Sequence, residues 1–183
     1  MSDVRLLGLV GSLRTASVNA ATARAVSASM PDGVSLHVYD VRDVPLYHGD
    51  DDQSGPPAPV TALREAIRAA DGIVLFSPEY NSSLPAVTKN IIDWLSRDPS
   101  TWASTGITMV VMSPGGRAGA SVREHFEAIM SRQATRLFPT IGFGNYATLL
   151  DDQGELTDRA TLDRLARFLA EFAEFCATPP AAS

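Results

Sequence analysis

The residues 11–19, Gly11-Ser12-Leu13-Arg14-Thr15-Ala16-Ser17-Val18-Asn19, gather hydroxyls, a guanidinium and an amide in one short stretch. If a helix begins there, its first backbone N–H groups point outward with partial positive charge, and the hydroxyls and Arg14 add donors. That set suits a phosphate monoester, which only accepts hydrogen bonds. The same residues admit a plainer use, with Ser17 or Asn19 capping the helix and Arg14 standing as a surface charge. A second stretch, Ser77-Pro78-Glu79-Tyr80-Asn81-Ser82-Ser83-Leu84-Pro85, offers an aromatic ring and many backbone donors and acceptors. It could edge a flat heteroaromatic ligand or be a proline-bounded turn with Tyr80 half-buried. The third, Ser113-Pro114-Gly115-Gly116-Arg117-Ala118-Gly119-Ala120, has positions without side chains that let backbone approach a ligand closely, or serve turn chemistry alone.

Other chemistries are poorly served. The only lysine, Lys89, lies between Thr88 and Asn90, so the Gly-Lys-Ser/Thr of a P-loop is excluded. Gly-x-Ser-x-Gly and His-Glu-x-x-His are absent, and His37, His48 and His125 are scattered, so hydrolase and zinc chemistry start low and no metal ligands are expected. Cys176 is the lone cysteine, which makes no internal disulfide and points to a reducing compartment. Gly142-Phe143-Gly144-Asn145-Tyr146-Ala147 fits a loose dinucleotide pattern but opens no convincing helix. Asn81-Ser82-Ser83 spells a glycosylation sequon, which is accidental in a chain read as cytoplasmic.

The elements that must position the three stretches follow from hydrophobic pattern. Strand-like runs cover Val4 to Val10, Val34 to Tyr39, Gly72 to Phe76 and Ile107 to Met112, and Arg136 to Ile141 reads as a fifth. Helical patterns fall between them, over Val18 to Met30, Val60 to Ala70, Leu84 to Arg97 and Ser121 to Arg132, with an amphipathic helix from Asp158 to Phe175 at the end. Val44 to Pro59, rich in proline and glycine and carrying Asp50-Asp51-Asp52, reads as an exposed excursion, either a solvated loop or a substrate-side flap. Strands that alternate with helices and are apolar throughout predict a doubly wound parallel sheet. The expected fold is α/β: a flavodoxin-like three-layer sandwich with a five-stranded parallel sheet in the order 2-1-3-4-5. In such a sheet the ligand crevice lies outside the carboxyl ends of the strands, where the three stretches fall. A phosphate held at the first and a planar polar ring spanning the other two has the outline of FMN.

Length and charge agree with this. The 183 residues are 45% apolar and 20% charged, which suits a single domain, expected over residues 1–176, with a frayed tail at 177–183. Fifteen basic against 21 acidic side chains give a net charge of -6, so neither nucleic acid nor an anionic membrane is the expected partner. No run approaches the ~20 apolar residues of a membrane span, and the N-terminal run reaches glycine too soon for a secretory signal.

Gly11-Ser12-Leu13-Arg14 with Ser17 and Asn19, then Pro78-Glu79-Tyr80-Asn81, then Lys89-Asn90-Ile91-Ile92-Asp93-Trp94-Leu95-Ser96-Arg97 resemble the NADPH-dependent FMN reductase family, including bacterial chromate and quinone reductases. The likeness runs from about Val4 to about Gly144. It departs at Thr88, where the family usually has leucine, and at Gly119-Ala120, where it usually has Gly-Gly. The resemblance implies that Ser12, Arg14, Ser17 and Asn19 bind the FMN phosphate. It implies that Pro78, Glu79, Tyr80 and Asn81 line the ribityl chain and ring, and that Ser113, Gly115 and Gly116 close the ring's other edge. NADPH, or NADH, would give hydride to bound FMN, and a small-molecule acceptor such as a quinone, free flavin, azo compound or chromate would take two electrons. Since the cofactor performs the redox chemistry, no catalytic side chain is expected. The rival is a flavodoxin-type FMN electron carrier that does not oxidise NADPH, against which stand Arg14 and the lack of a threonine-dense first loop. The family further implies a homodimer or homotetramer, with Trp94 either anchoring a partner or packing on the sheet.

Overall fold

A computed structural model describes residues 3–134 and 136–178. Its five strands are β1 (Val4–Val10), β2 (Val34–Tyr39), β3 (Gly72–Phe76), β4 (Gly106–Met112) and β5 (Ile141–Phe143). They form one sheet in the order β2-β1-β3-β4-β5, every pairing parallel. Register places Val10 beside Phe76, Phe76 beside Val110 and Met112 beside Phe143, so the carboxyl ends of β1, β3, β4 and β5 lie along one edge. This is the flavodoxin-like arrangement expected.

Among the described residues are six α-helices, α1 (Val18–Ser27), α2 (Gly49–Ser54), α3 (Ala58–Arg68), α4 (Ala86–Leu95), α5 (Ala120–Met130) and α6 (Arg159–Ala177), of which all but the short, unburied α2 cover the sheet. The two-residue period of a strand sorts the apolar side chains onto two faces. Leu7, Leu9, Ile73, Leu75, Met109 and Val111 meet Leu63 and Ile67 of α3, Ile91 and Leu95 of α4, and Val122 and Phe126 of α5. Leu6, Val10, Val74, Phe76, Val110 and Met112 turn the other way, against Ala23 and Val26 of α1 and Leu165, Leu169 and Phe172 of α6. Both faces are buried, which is why these strands read as unbroken apolar runs.

The fifth strand departs from expectation. Ile107 N donates to Arg136 O and Phe138 N to Ile107 O, so pairing begins where the pattern suggested, but Pro139 has no N–H and breaks the ladder. Thr108 Oγ1 donates to Pro139 O across the gap at 2.7 Å, and regular pairing resumes only at Ile141. The excursion also differs, because it contains α2 and is pinned to α4. Tyr47 N donates to Asn90 Oδ1, while Asn90 Nδ2 and Trp94 Nε1 both donate to Pro45 O, each at 2.8 Å. Trp94 is therefore fully buried beneath the excursion, edge-on to Tyr47, and offers no anchor to a partner. Helix α6 runs through Ala177 and ends at Thr178, so the start of the expected tail is helical, and residues 179–183 lie outside the described residues.

Candidate functional site: a cavity at the carboxyl ends of the strands

A cavity of about 230 Å³ opens beyond the ends of β1, β3 and β4, and its wall contains seven of the expected residues: Ser12, Arg14, Ser17, Asn19, Pro78, Glu79 and Tyr80. In the first loop the chemistry is set by which atoms are already engaged. Ser17 is the N-cap of α1, its Oγ accepting from Ala20 N at 3.2 Å, so its hydroxyl hydrogen is left to donate. Asn19 Oδ1 accepts from Met112 N at 3.2 Å, joining the start of α1 to the end of β4 and leaving Nδ2 as a donor. Among the described residues, Ser12 and Arg14 have no side-chain hydrogen bond or ion pair within the protein. Capping and ligand binding, alternatives at the level of sequence, are compatible here, because the cap uses the acceptor and spares the donor.

The second loop is tied to the third. Glu79 Oε2 accepts from Val122 N, in the first turn of α5, at 3.1 Å. That helix starts at Gly119, whose φ of 65° is left-handed and which supplies no side-chain cap, so the carboxylate from another loop takes that place. Tyr80 and Ser83 exchange backbone hydrogen bonds around Asn81 and Ser82, whose φ values of 50° and 58° make the reversal tight. Ser83 Oγ also bonds His125 Nδ1 at 3.0 Å. This turn presents Tyr80 45% exposed at the lip of the cavity. The first loop is drawn close to the second by Gly11, where a Cβ would strike Thr88 Oγ1 and crowd Ser77 Oγ, two hydroxyls that bond each other at 2.9 Å.

Four expected residues lie outside the cavity wall: Asn81, Ser113, Gly115 and Gly116. Asn81 sits at the exposed turn. Ser113 is buried, its Oγ accepting from Gly115 N, and a Cβ on Gly115 or Gly116 would meet open space. The wall is instead completed by Val18, Met112, Pro114 and Tyr146. Tyr146 comes from the stretch set aside as a false dinucleotide pattern, and its N donates to Ser113 O at 3.2 Å. Its place at the carboxyl end of the fifth strand was the signal that could have found it.

Comparison with known proteins bears on this cavity. The family model described as NADPH-dependent FMN reductase matches residues 4–146. The chain belongs to the NADPH-dependent FMN reductase family. It is 37% identical to a quinone reductase of Escherichia coli over 94% of this chain and 95% of the relative. It is 39% identical to an NAD(P)H-dependent FMN reductase of Pseudomonas aeruginosa over 65% of this chain and 64% of that one. Among solved structures, the flavoenzyme NAD(P)H:(acceptor) oxidoreductase FerB of Paracoccus denitrificans superposes with a TM-score of 0.81 at 24% identity, covering 94% of this chain and 97% of that one, a likeness of fold.

As a member of this family the reductase is an oxidoreductase dependent on FMN and NAD(P)H. Its cavity fits the cofactor's phosphate end. The Ser12 and Ser17 hydroxyl hydrogens, the Arg14 guanidinium and Asn19 Nδ2 are left in the first loop as donors, set at the N-terminus of the ten-residue helix α1. Among the described residues of the reductase no group of histidine, cysteine, aspartate or glutamate side chains could hold a metal ion, and no helix is long and apolar enough to cross a membrane.

Proposed function

We propose that the chain reduces quinones with electrons from NAD(P)H, using FMN held in the cavity at the ends of β1, β3 and β4. The observation that carries the reading is the set of free donors that Ser12, Arg14, Ser17 and Asn19 bring to a cavity whose far lip is an exposed Tyr80. When bound, FMN would supply the redox chemistry of hydride acceptance and two-electron transfer. The protein's work is to bind, orient and shield. Arg14 and the first amides of α1 neutralise the phosphate, while Pro78 and Tyr80 give the ring an apolar and aromatic border. The Asn19 and Glu79 hydrogen bonds hold the three loops in fixed relation, so that donors are in place before the ligand arrives. Asn81, Ser113, Gly115 and Gly116 border the ring on their backbone side, which the open space over both glycines permits.

The relatives named as quinone reductases support the acceptor class, and a relative from Burkholderia is named 2-hydroxy-1,4-benzoquinone reductase. Free flavin, azo compounds and chromate are further acceptors for a site this open. We also propose that residues 1–176 act as one domain in a cytoplasmic homodimer or homotetramer, supported by the family resemblance, with sedimentation velocity as the check.

The test is an anaerobic titration of the FMN-loaded protein. NADPH or NADH should bleach the bound flavin, and one equivalent of benzoquinone should restore its absorbance. Bound FMN that neither nucleotide bleaches would defeat the reading in favour of an electron carrier.

A further inference from the structure

The first loop has a second side. Between the carboxyl ends of β1 and β2, a separate cavity of about 170 Å³ is walled by Arg14, Arg24, Arg42 and Asp40 over an apolar floor that includes Val38 and Val41. Arg14 belongs to both cavities, so the two lie on either side of one strip of backbone. The wall is mixed in charge, and each group's partners matter. Arg24 Nη2 bonds Glu155 Oε1 at 2.7 Å. Among the described residues, Arg42 has no side-chain hydrogen bond or ion pair, while its backbone N donates to Asp40 Oδ1 at 3.0 Å and leaves Asp40 Oδ2 free to accept. With Arg24 paired to Glu155 and Arg14 given to the flavin phosphate, Arg42 is the guanidinium this cavity leaves open to an anion.

These groups select among anions. An inorganic anion would use the guanidinium groups and be repelled by Asp40. A phosphorylated ribose uses everything present: phosphate oxygens accept from Arg42 and Arg24, a ribose hydroxyl donates to Asp40, and the attached base covers the valine floor. An arginine just past the end of the second strand is also where parallel dinucleotide folds accommodate a ribose 2′-phosphate, here an analogy between folds. The other partner of the flavin cavity is a nicotinamide nucleotide, and the shared wall at Arg14 keeps the second cavity close to the first.

We propose that this cavity binds the 2′-phosphorylated adenosine end of NADPH, with Arg42 as the residue that distinguishes NADPH from NADH. The proposal rests on the reading of the chain as an NAD(P)H oxidant. Its first test avoids flavin chemistry by using fragments that carry no nicotinamide. Calorimetric titration of the FMN-loaded protein should show adenosine 2′,5′-bisphosphate binding at least ~10-fold tighter than adenosine 5′-monophosphate, the worth of one charge-assisted contact. Arg42→Ala should bring that ratio close to one without loss of FMN, and Arg42→Lys should recover part of it. In turnover, Arg42→Ala should lower the ratio of kcat/KM for NADPH to that for NADH by about tenfold.

Equal binding of the two fragments by the wild-type protein, or a preference that survives Arg42→Ala, overturns the proposal. A protein that discriminates the fragments but does not oxidise either nucleotide would instead overturn the proposed function and leave the adenosine phosphate site standing.

Discussion

Single side chains in the cavity do two jobs at once, and substitutions should separate them. Among the described residues Arg14 has no side-chain partner, so Arg14→Ala should leave the melting temperature nearly unchanged and weaken FMN binding by about 10- to 100-fold, read by fluorescence quenching of added FMN. Glu79 behaves oppositely. Its carboxylate is engaged with Val122 N, so Glu79→Ala should cost about 0.5–2 kcal/mol of stability in urea, as lost helix caps do. Glu79→Gln keeps an oxygen acceptor and should recover most of that loss. Cys176 is a third case, buried against Gly72 and Gly106 with its thiol pushed up to about 12 by burial. It should resist an aromatic disulfide reagent in the folded protein and react once denaturant is added. The structure brings Ser12, Arg14, Ser17 and Asn19 to one cavity wall, and that the four form a group was legible from their spacing. The capping role of Glu79 was not, because it depends on a contact 43 residues away in sequence.

At the scale of elements, continuous apolar runs placed β1 and β3 where they are, because both faces of each are covered and nothing interrupts them, while the edge strand β2, with Ser35 and His37 exposed, was legible from its alternation. The same logic slipped at β5, where Pro139 removes one ladder donor and a threonine side chain bridges the gap. It left Trp94 open between a partner and the sheet, and the inward orientation is fixed by a carbonyl from Pro45 that no local pattern announces. Arg136 is a further long-range device. Buried beside the end of α6, its guanidinium donates to the carbonyls of Phe175, Cys176 and Thr178 and to Ser104 O, and it lies 4.9 Å from the centre of the Phe175 ring. These are last-turn carbonyls without helical partners. Arg136→Ala should therefore cost more than an ordinary surface change, about 3 kcal/mol in a urea titration. Arg136→Lys, with its compact ammonium, should restore only part of this. Gly11→Ala should destabilise through its clash with Thr88 Oγ1, and the double variant with Thr88→Ala should be less impaired than the sum of the two single changes.

For the whole molecule, stability should depend on pH from both sides. Asp158, which accepts from Thr161 at the start of α6, and Asp98, which accepts from Ser100 with Arg68 alongside, are held below the usual carboxylate range. Their contribution is complete above the ordinary carboxylate range and is lost as pH falls through the lower folded values. Cys176 works in the other direction: raised to about 12 from 9.0, it contributes fully below 9.0 and its contribution is lost as pH rises from there toward 12. The urea midpoint should thus be flat around neutrality and fall toward both extremes. The flavodoxin-like order was legible because alternating strands and helices leave few topologies, and it put the reactive loops along one edge. Two hydrogen bonds join those loops, Asn19 to Met112 and Glu79 to Val122. Each buries an amide proton that exchanges with solvent only when a loop lets go. Loading FMN should therefore slow deuterium uptake at Met112 and Val122 together, turning two amides on different elements into reporters of a single closed state.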